Sequence, residues 1–255
     1  MTLQAPPRHF LLSLATLCAC VLGSVRALAQ SPPNLTHVDN VNNAGNATLY
    51  WDVFEQQGTE EFVQNEIKVF DLDQNALGTQ WHIISSEFVG GNLVLPTGWV
   101  MPSFLYDANQ LAHCYIGVQV TVDNGLQSVS DSSPFLCSIH VSMEEGATPG
   151  TVDLEWNSPY ALSGDAAGGD FQIERLSELT QDWELVDTQP DSPLGGTYTD
   201  NPGPCAQILI YRIRQLATNG VDMHESNRAD LVIGVAGGET PEVSHVDVDN
   251  GFAHV

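Results

Sequence analysis

Two histidines and two cysteines, in "AHCYIGV" and "FLCSIHV", have residue types and spacing that could do chemistry: His113, Cys114, Cys137 and His140. These are the ligand types of a tetrahedral zinc site. Adjacent residues of an extended strand point to opposite faces, however, so His113 and Cys114 do not converge on one ion. The competing chemistry is a disulfide between Cys114 and Cys137. The two flank a turn at Asn124-Gly125, and counting outward from it places 114 almost opposite 135, with one bulge aligning it to 137. Such a bridge closes a loop of roughly two dozen residues and stabilises by about 3 kcal/mol in the chain-entropy picture. Cys205, in "NPGPCAQ", has no equivalent partner nearby and is either free or paired elsewhere.

Acidic loops raise calcium as a second possibility. Asp71, Asp73 and Asn75 alternate in "DLDQN" as an EF-hand loop begins, but Ala76 and His82 stand where such a loop needs Gly and Glu. "DVDNG" (247–251) starts the same way. Tight turns favour these residues for backbone reasons alone. No G-x-S-x-G, H-E-x-x-H or phosphate-loop pattern occurs. Glu60-Glu61 and Glu144-Glu145 read as solvated loop pairs, not as the acid and base of a glycosidase. The expectation is therefore a non-enzyme with no catalytic residues, no metal and no cofactor. Trp99, in "VLPTGWVMPS", sits between Pro96, Gly98 and Pro102. There it could contact a sugar or protein partner, or plug the open end of its own fold.

The elements that position these residues follow a leader. Arg8 and His9 precede an apolar run from Phe10 to Leu22, and Ala27-Leu28-Ala29 follows. That order is a secretory signal peptide over 1–29, with cleavage after Ala29. The run is too short to span a bilayer, so no transmembrane helix is expected in the mature chain. A second reading is lipid attachment through Cys20, although Cys18 stands where a lipoprotein box carries a small or hydroxylated residue. The chain holds 7 Lys+Arg against 32 Asp+Glu, a net charge of −25. No basic patch is left to neutralise phosphates, which excludes nucleic acid as a partner, and an anionic membrane surface would repel the chain. Export to an oxidising compartment suits a disulfide. Asn34-Leu-Thr and Asn46-Ala-Thr match the N-glycosylation pattern.

The chain then repeats itself. "NATLYWDV" (46–53) corresponds to "GTVDLEWN" (150–157), aligning Trp51 with Trp156 at the ends of alternating strands. "NEIKVFDLDQNALGTQWHII" (65–84) corresponds to "GDFQIERLSELTQDWELVDT" (169–188), each a strand, a polar turn and a strand opened by Trp81 or Trp183. "SFLYDAN" (103–109) answers "GTYTDNP" (196–202), aligning Tyr106 with Tyr198. "IGVQVTVDNG" (116–125) matches "YRIRQLATNG" (211–220), both ending in an Asn-Gly turn, and "FLCSIHV" and "ADLVIGV" supply the returning strands. Alternation every second residue predicts that Leu49, Trp51, Leu154 and Trp156 build cores. Trp81 and Trp183 are expected over one edge of each core, and Tyr106 and Tyr198 where a tyrosine hydroxyl could bond the backbone.

The second repeat resembles the fibronectin type III family, on Trp156, Phe171, Ile173, Arg175, Trp183, Tyr198, Thr199, Asp200, Tyr211, Arg212 and Ile213. More narrowly, it is similar to the repeats of gliding-motility-associated surface proteins exported by the type IX system. The first repeat follows the pattern more loosely, with Ile67-Lys68-Val69 in place of the aromatic strand and Tyr115-Ile116 displaced. The expected fold is all-β, with tandem antiparallel sandwiches of the fibronectin type III or immunoglobulin-like kind. The first spans 31–138 and the second 139–237, and 238–255 is the truncated start of a third, because Pro241, Ser244, His245, Val246 and Asp247 echo Pro33, Thr36, His37, Val38 and Asp39. Further domains are expected beyond Val255, opening with a Trp at the second following codon. The function implied is a secreted or cell-surface segment of spacer, adhesion or interaction repeats whose partner is a protein or glycan. The alternative is a set of accessory modules beside an extracellular enzyme such as a hydrolase.

Overall fold

The structure, a computed structural model, describes residues 31–233 apart from 41–45, 57, 90–91, 102–105, 164–167, 178 and 203–206, and two short strands beyond them. The expected signal peptide, Cys20, Cys205 and most of the expected third repeat lie outside the described residues.

The described elements are strands. The first ten are β1 (Leu35–Asp39), β2 (Thr48–Trp51), β3 (Glu61–Phe70), β4 (His82–Ser85), β5 (Glu87–Val89), β6 (Asn92–Val94), β7 (Gly98–Val100), β8 (Cys114–Asp123), β9 (Leu126–Val129) and β10 (Leu136–Cys137). Then come β11 (Val141–Glu145), β12 (Val152–Trp156), β13 (Phe171–Leu176), β14 (Trp183–Gln189), β15 (Gly196–Asp200), β16 (Gln207–Leu216), β17 (Met223–Glu225) and β18 (Ala229–Ile233). A final hairpin pairs β19 (Asp247–Asp249) with β20 (Phe252–His254).

Two sandwiches result, each with its own core. In the first, β1-β2-β7 faces β10-β8-β3-β4 with β9 alongside β8. Val38, Leu49 and Trp51 meet Ile67, Val69, Tyr115 and Leu136 between the sheets. In the second, β11-β12-β15 faces β14-β13-β16 with β18 against β16, and Val152, Leu154 and Trp156 meet Phe171, Ile173, Leu209, Tyr211 and Ile213. Alternation along β2 and β12 puts every second side chain into these interiors, as the sequence pattern requires. Burial removes the Trp51 indole N–H from water, and the carbonyl of Pro96 accepts it at 2.7 Å.

Three expectations need correction. Glu61 opens β3, and Glu144 and Glu145 lie on β11, so these acidic residues are on strands, not in loops. Neither Trp81 nor Trp183 belongs to a core: Lys68 Nζ lies 5.7 Å from the Trp81 ring and the Arg212 guanidinium 4.2 Å from the Trp183 ring. Large rings at the start of an edge strand find cations on the outer face, and cation–π contact replaces burial. The returning strand after each Asn-Gly turn is also broken in two. β8 pairs first with β9 (Asp123↔Leu126, Val120↔Val129) and then, two residues out of step, with β10 (Cys114↔Cys137). Across the break, serine hydroxyls accept the ladder N–H groups, Ser130 from Gln119 and Ser133 from Gly117, each at 2.9 Å. The second sandwich does the same between β17 and β18, where Ser226 Oγ accepts from the Ile213 N–H at 2.8 Å.

The motif residues of the second repeat converge. Arg175 Nη1 lies 2.7 Å from Asp200 Oδ2, and the Tyr211 hydroxyl donates to the same oxygen. These are the last residue of "FQIER", the last of "TYTD" and the first of "YRIR", brought together because β13 pairs with β16 at Arg175↔Tyr211. In the first sandwich the residue opposite Tyr115 is Val69, and the Tyr115 hydroxyl turns to Met101 Sδ instead.

Candidate functional site

Cys114 and Cys137 are joined, with an S–S distance of 2.06 Å, and both are fully buried. Bonded sulfurs supply no thiolate for zinc. His113 is buried beside Tyr106, and its ring N–H and lone pair are cut off from solvent, which lowers its pKa. His140 lies near, its Nε2 3.2 Å from the Asn109 carbonyl. Asp71 spends its carboxylate on Asn75, accepting from the backbone N–H at 2.7 Å and from Nδ2 at 2.9 Å, which is turn geometry. Among the described residues no group of three or more His, Cys, Asp or Glu side chains is arranged to hold a metal ion. Trp99 stands opposite Leu49 on β7, packed against the first core with the His82 ring stacked 4.8 Å away. The Tyr106 hydroxyl donates to the Leu77 carbonyl at 2.9 Å and closes that end of the sandwich.

A dense group of interacting ionisable side chains lies elsewhere, where the two sandwiches meet. β1 pairs in parallel with β17 at Asp39↔Glu225, so the β1-β2-β7 sheet of the first sandwich and the β14-β13-β16 sheet of the second form one eight-stranded sheet. The Asn40 N–H donates to the Glu225 carbonyl at 3.0 Å. The Val38 N–H donates to His224 Nδ1 at 3.2 Å. A lone pair on Nδ1 requires a neutral ring protonated on Nε2, which faces the Tyr160 oxygen at 3.0 Å. The same oxygen accepts the Thr218 N–H at 3.2 Å. Tyr160, between β12 and β13, packs into the core of the first sandwich.

The link between the sandwiches is held just as firmly. Asn157 donates to the Ser138 carbonyl at 2.9 Å and accepts the His140 N–H at 2.8 Å, while the Cys137 N–H reaches the Pro159 carbonyl at 2.8 Å.

On the outer face of the shared sheet, Arg212 bridges Glu174 (2.6 Å) and Glu225 (2.8 Å), and Arg214 lies 3.5 and 3.6 Å from the same two carboxylates. Glu225 is thereby held by two arginines. Asp39, opposite it, has a carboxylate oxygen 3.8 Å from His37 Nε2. Burial, and then repulsion from Glu225, raises the Asp39 carboxyl to about 7 against the pull of Arg214. Burial, with His37 beside it, lowers His224 to about 3. His37 is also lowered by burial, while Asp222, 3.5 Å from its Nδ1, opposes the shift. Its ring stacks on Tyr50 at 4.3 Å.

His37, Val38, Asp39 and Arg212 stand in the repeat patterns, but no sequence pattern brings them together with His224 and Tyr160. The available signal was the short "MHES" (223–226), a His beside a Glu directly after a turn, but its partner residues lie 186 positions away in the chain.

Chemically the joint can store and exchange protons and hold two strands in register. A second feature is an open groove of about 450 Å³ over the β11-β12-β15 face, where Ser142, Glu144, Asp153, Glu155, Thr197 and Thr199 stand in cross-strand rows.

No protein-family model matches the chain, and no curated protein matches it. Among solved structures it is similar to the chicken interferon gamma receptor alpha chain at 9% identity and a TM-score of 0.31, over 80% of this chain and 98% of that one. It is also similar to the central fibronectin-III array of RIM-binding protein at 12% identity and a TM-score of 0.29, over 86% of this chain and 75% of that one. At such scores the assignment of tandem antiparallel sandwiches rests on the strand order and the two cores described above. Among the described residues, no helix is long and apolar enough to cross a membrane.

Proposed function

We propose that this chain is a non-catalytic segment of an exported surface protein, in which modules at 31–138 and 139–237 act as a stiff spacer that carries interaction surfaces. The observation behind this reading is the sheet that runs from β14 through β17 and β1 to β7, crossing from one sandwich to the other. Flexible tethering is the default between linked domains. A shared sheet with a pinned linker instead sets the separation of whatever lies at either end. The net charge of −25 opposes self-association and suits a role at an exposed surface. Residues 238–255 continue the repeat pattern, and the gliding-motility-associated setting rests on the sequence pattern of the second repeat.

The experiment is a replacement in the source organism. Residues 31–233 are exchanged for an unrelated rigid two-module spacer of equal length, and separately for a flexible linker. Retention of surface function with the rigid spacer and loss with the flexible linker supports the reading. Loss with both, together with loss on charge reversal of the exposed Glu144 and Glu155, places the function in a specific surface and contradicts a spacer role.

A further inference from the structure

We propose that the joint between the two sandwiches closes by proton exchange, with His224 giving up a proton and Asp39 retaining one, so that the junction holds as its surroundings acidify. The geometry on the imidazole side is fixed by two bonds. His224 has no exposed surface, its Nδ1 must offer a lone pair to the Val38 N–H, and its Nε2 faces Tyr160. A second proton on the ring would point at the Val38 N–H, donor against donor, so protonated His224 is incompatible with the closed joint. On the carboxylate side, Asp39 faces Glu225 across the β1–β17 bridge, and Glu225 is already paired with Arg212 and Arg214. Two facing carboxylates do not both stay charged cheaply, and Asp39, which has no arginine ion pair among the described residues, takes the proton against the pull of Arg214.

Every element packed on the joint contributes a charged or titratable group. β1 supplies His37 and Asp39, β2 supplies Tyr50, β13 supplies Glu174, and β16 supplies Arg212 and Arg214. The turn after β16 supplies Asp222, β17 supplies His224 and Glu225, and the segment after β12 supplies Tyr160, with Asp191 behind it.

The signs oppose each other. An opened joint returns His224 to its ordinary 6.5 and Asp39 to its ordinary 3.8, whereas the closed joint holds them at about 3 and about 7. The histidine therefore favours opening as pH falls below 6.5, and the aspartate favours closing as pH falls below about 7. Between 3.8 and 6.5 each state carries one proton on this pair, on His224 when open and on Asp39 when closed, and pH has no leverage through them. His37, also lowered by burial, leaves a residual tilt toward opening in acid.

The test is amide hydrogen exchange by NMR on the full mature chain between pH 6.5 and 4.5, with rates corrected for intrinsic exchange. The Asn40 N–H bonds Glu225 across the joint and reports its opening, and the Leu154 N–H in the second core reports folding. In the unaltered chain Asn40 protection stays within about tenfold over the two pH units. In Asp39→Asn, with the compensating carboxyl removed, it falls about a hundredfold, at tenfold per unit for one unbalanced proton. In His224→Gln, whose side chain keeps one acceptor and one donor, it rises by a similar factor as pH falls. A single pH profile shared by all three chains, with Leu154 still protected, overturns the proposal. Direct titration of the His224 ring in the unaltered chain needs no variant: a midpoint near 6.5 with Asn40 protected overturns it too.

Discussion

Asn227 holds both backbone groups of Val141, accepting the N–H at 2.7 Å and donating to the carbonyl at 3.0 Å, from 86 residues away. Its side chain stands in for a strand where β17 has ended and β18 has not begun, and it ties the first strand of the second sandwich to the last.

Asn227→Ala leaves two buried backbone groups bare and should cost about 2–4 kcal/mol. Urea unfolding followed by Trp156 fluorescence measures it. A loss below 1 kcal/mol, on the order of a surface change, would mean that water replaces the amide.

Arg212→Met keeps the side chain's length but strips the cation from Glu174 and Glu225, leaving Arg214 at 3.5 and 3.6 Å as their remaining arginine. All these groups are largely buried, so the expected cost is about 3 kcal/mol at pH 7. Thermal melts of variant and parent at pH 7 measure the loss, and a cost below about 1 kcal/mol, on the order of a surface change, would mean that Arg214 moves in to hold both carboxylates.

Removing the disulfide with Cys114→Ala and Cys137→Ala should destabilise the first sandwich by about 3 kcal/mol, for a sequence separation of 23. Amide protection at Ile67 and Val69 is expected to fall while that at Ile173 is kept. Equal losses in both sandwiches would show that they unfold as one unit.

Much of this fold is legible in the sequence. Trp51 and Trp156, Asn124-Gly125 and the alternating runs place the strands because core burial and turn backbone geometry are local in sequence. The residues that join the sandwiches are different. His224, Asp39 and Tyr160 look like ordinary polar residues of short strands and turns, and their roles arise from contacts across 186 and 64 positions. Trp81 and Trp183 differ from the pattern for a related reason: alternation predicts a large ring, but not whether a cation meets it outside the core. The split of the return strands leaves no mark in the alternation, because serine hydroxyls complete the ladder where the backbone departs from it.

Acid should weaken the first sandwich. Burial lowers the pKa of His82, His113 and His140, so the unfolded chain takes up protons below 6.5 that the folded chain refuses, and stability falls as pH drops through that range. The urea midpoint should be lower at pH 5 than at pH 7, and His113→Leu should narrow the difference, by at most about 1.4 kcal/mol per pH unit. An unchanged difference would mean that His113 gains a proton without leaving its site.

Whether the two sandwiches move as one body is tested most directly by backbone ¹⁵N relaxation at neutral pH. A shared sheet and a pinned linker predict a single rotational correlation time, with Leu49 and Ile67 in the first core tumbling at the rate of Leu154 and Ile173 in the second. Two distinct, shorter correlation times, each that of a lone sandwich, would contradict it.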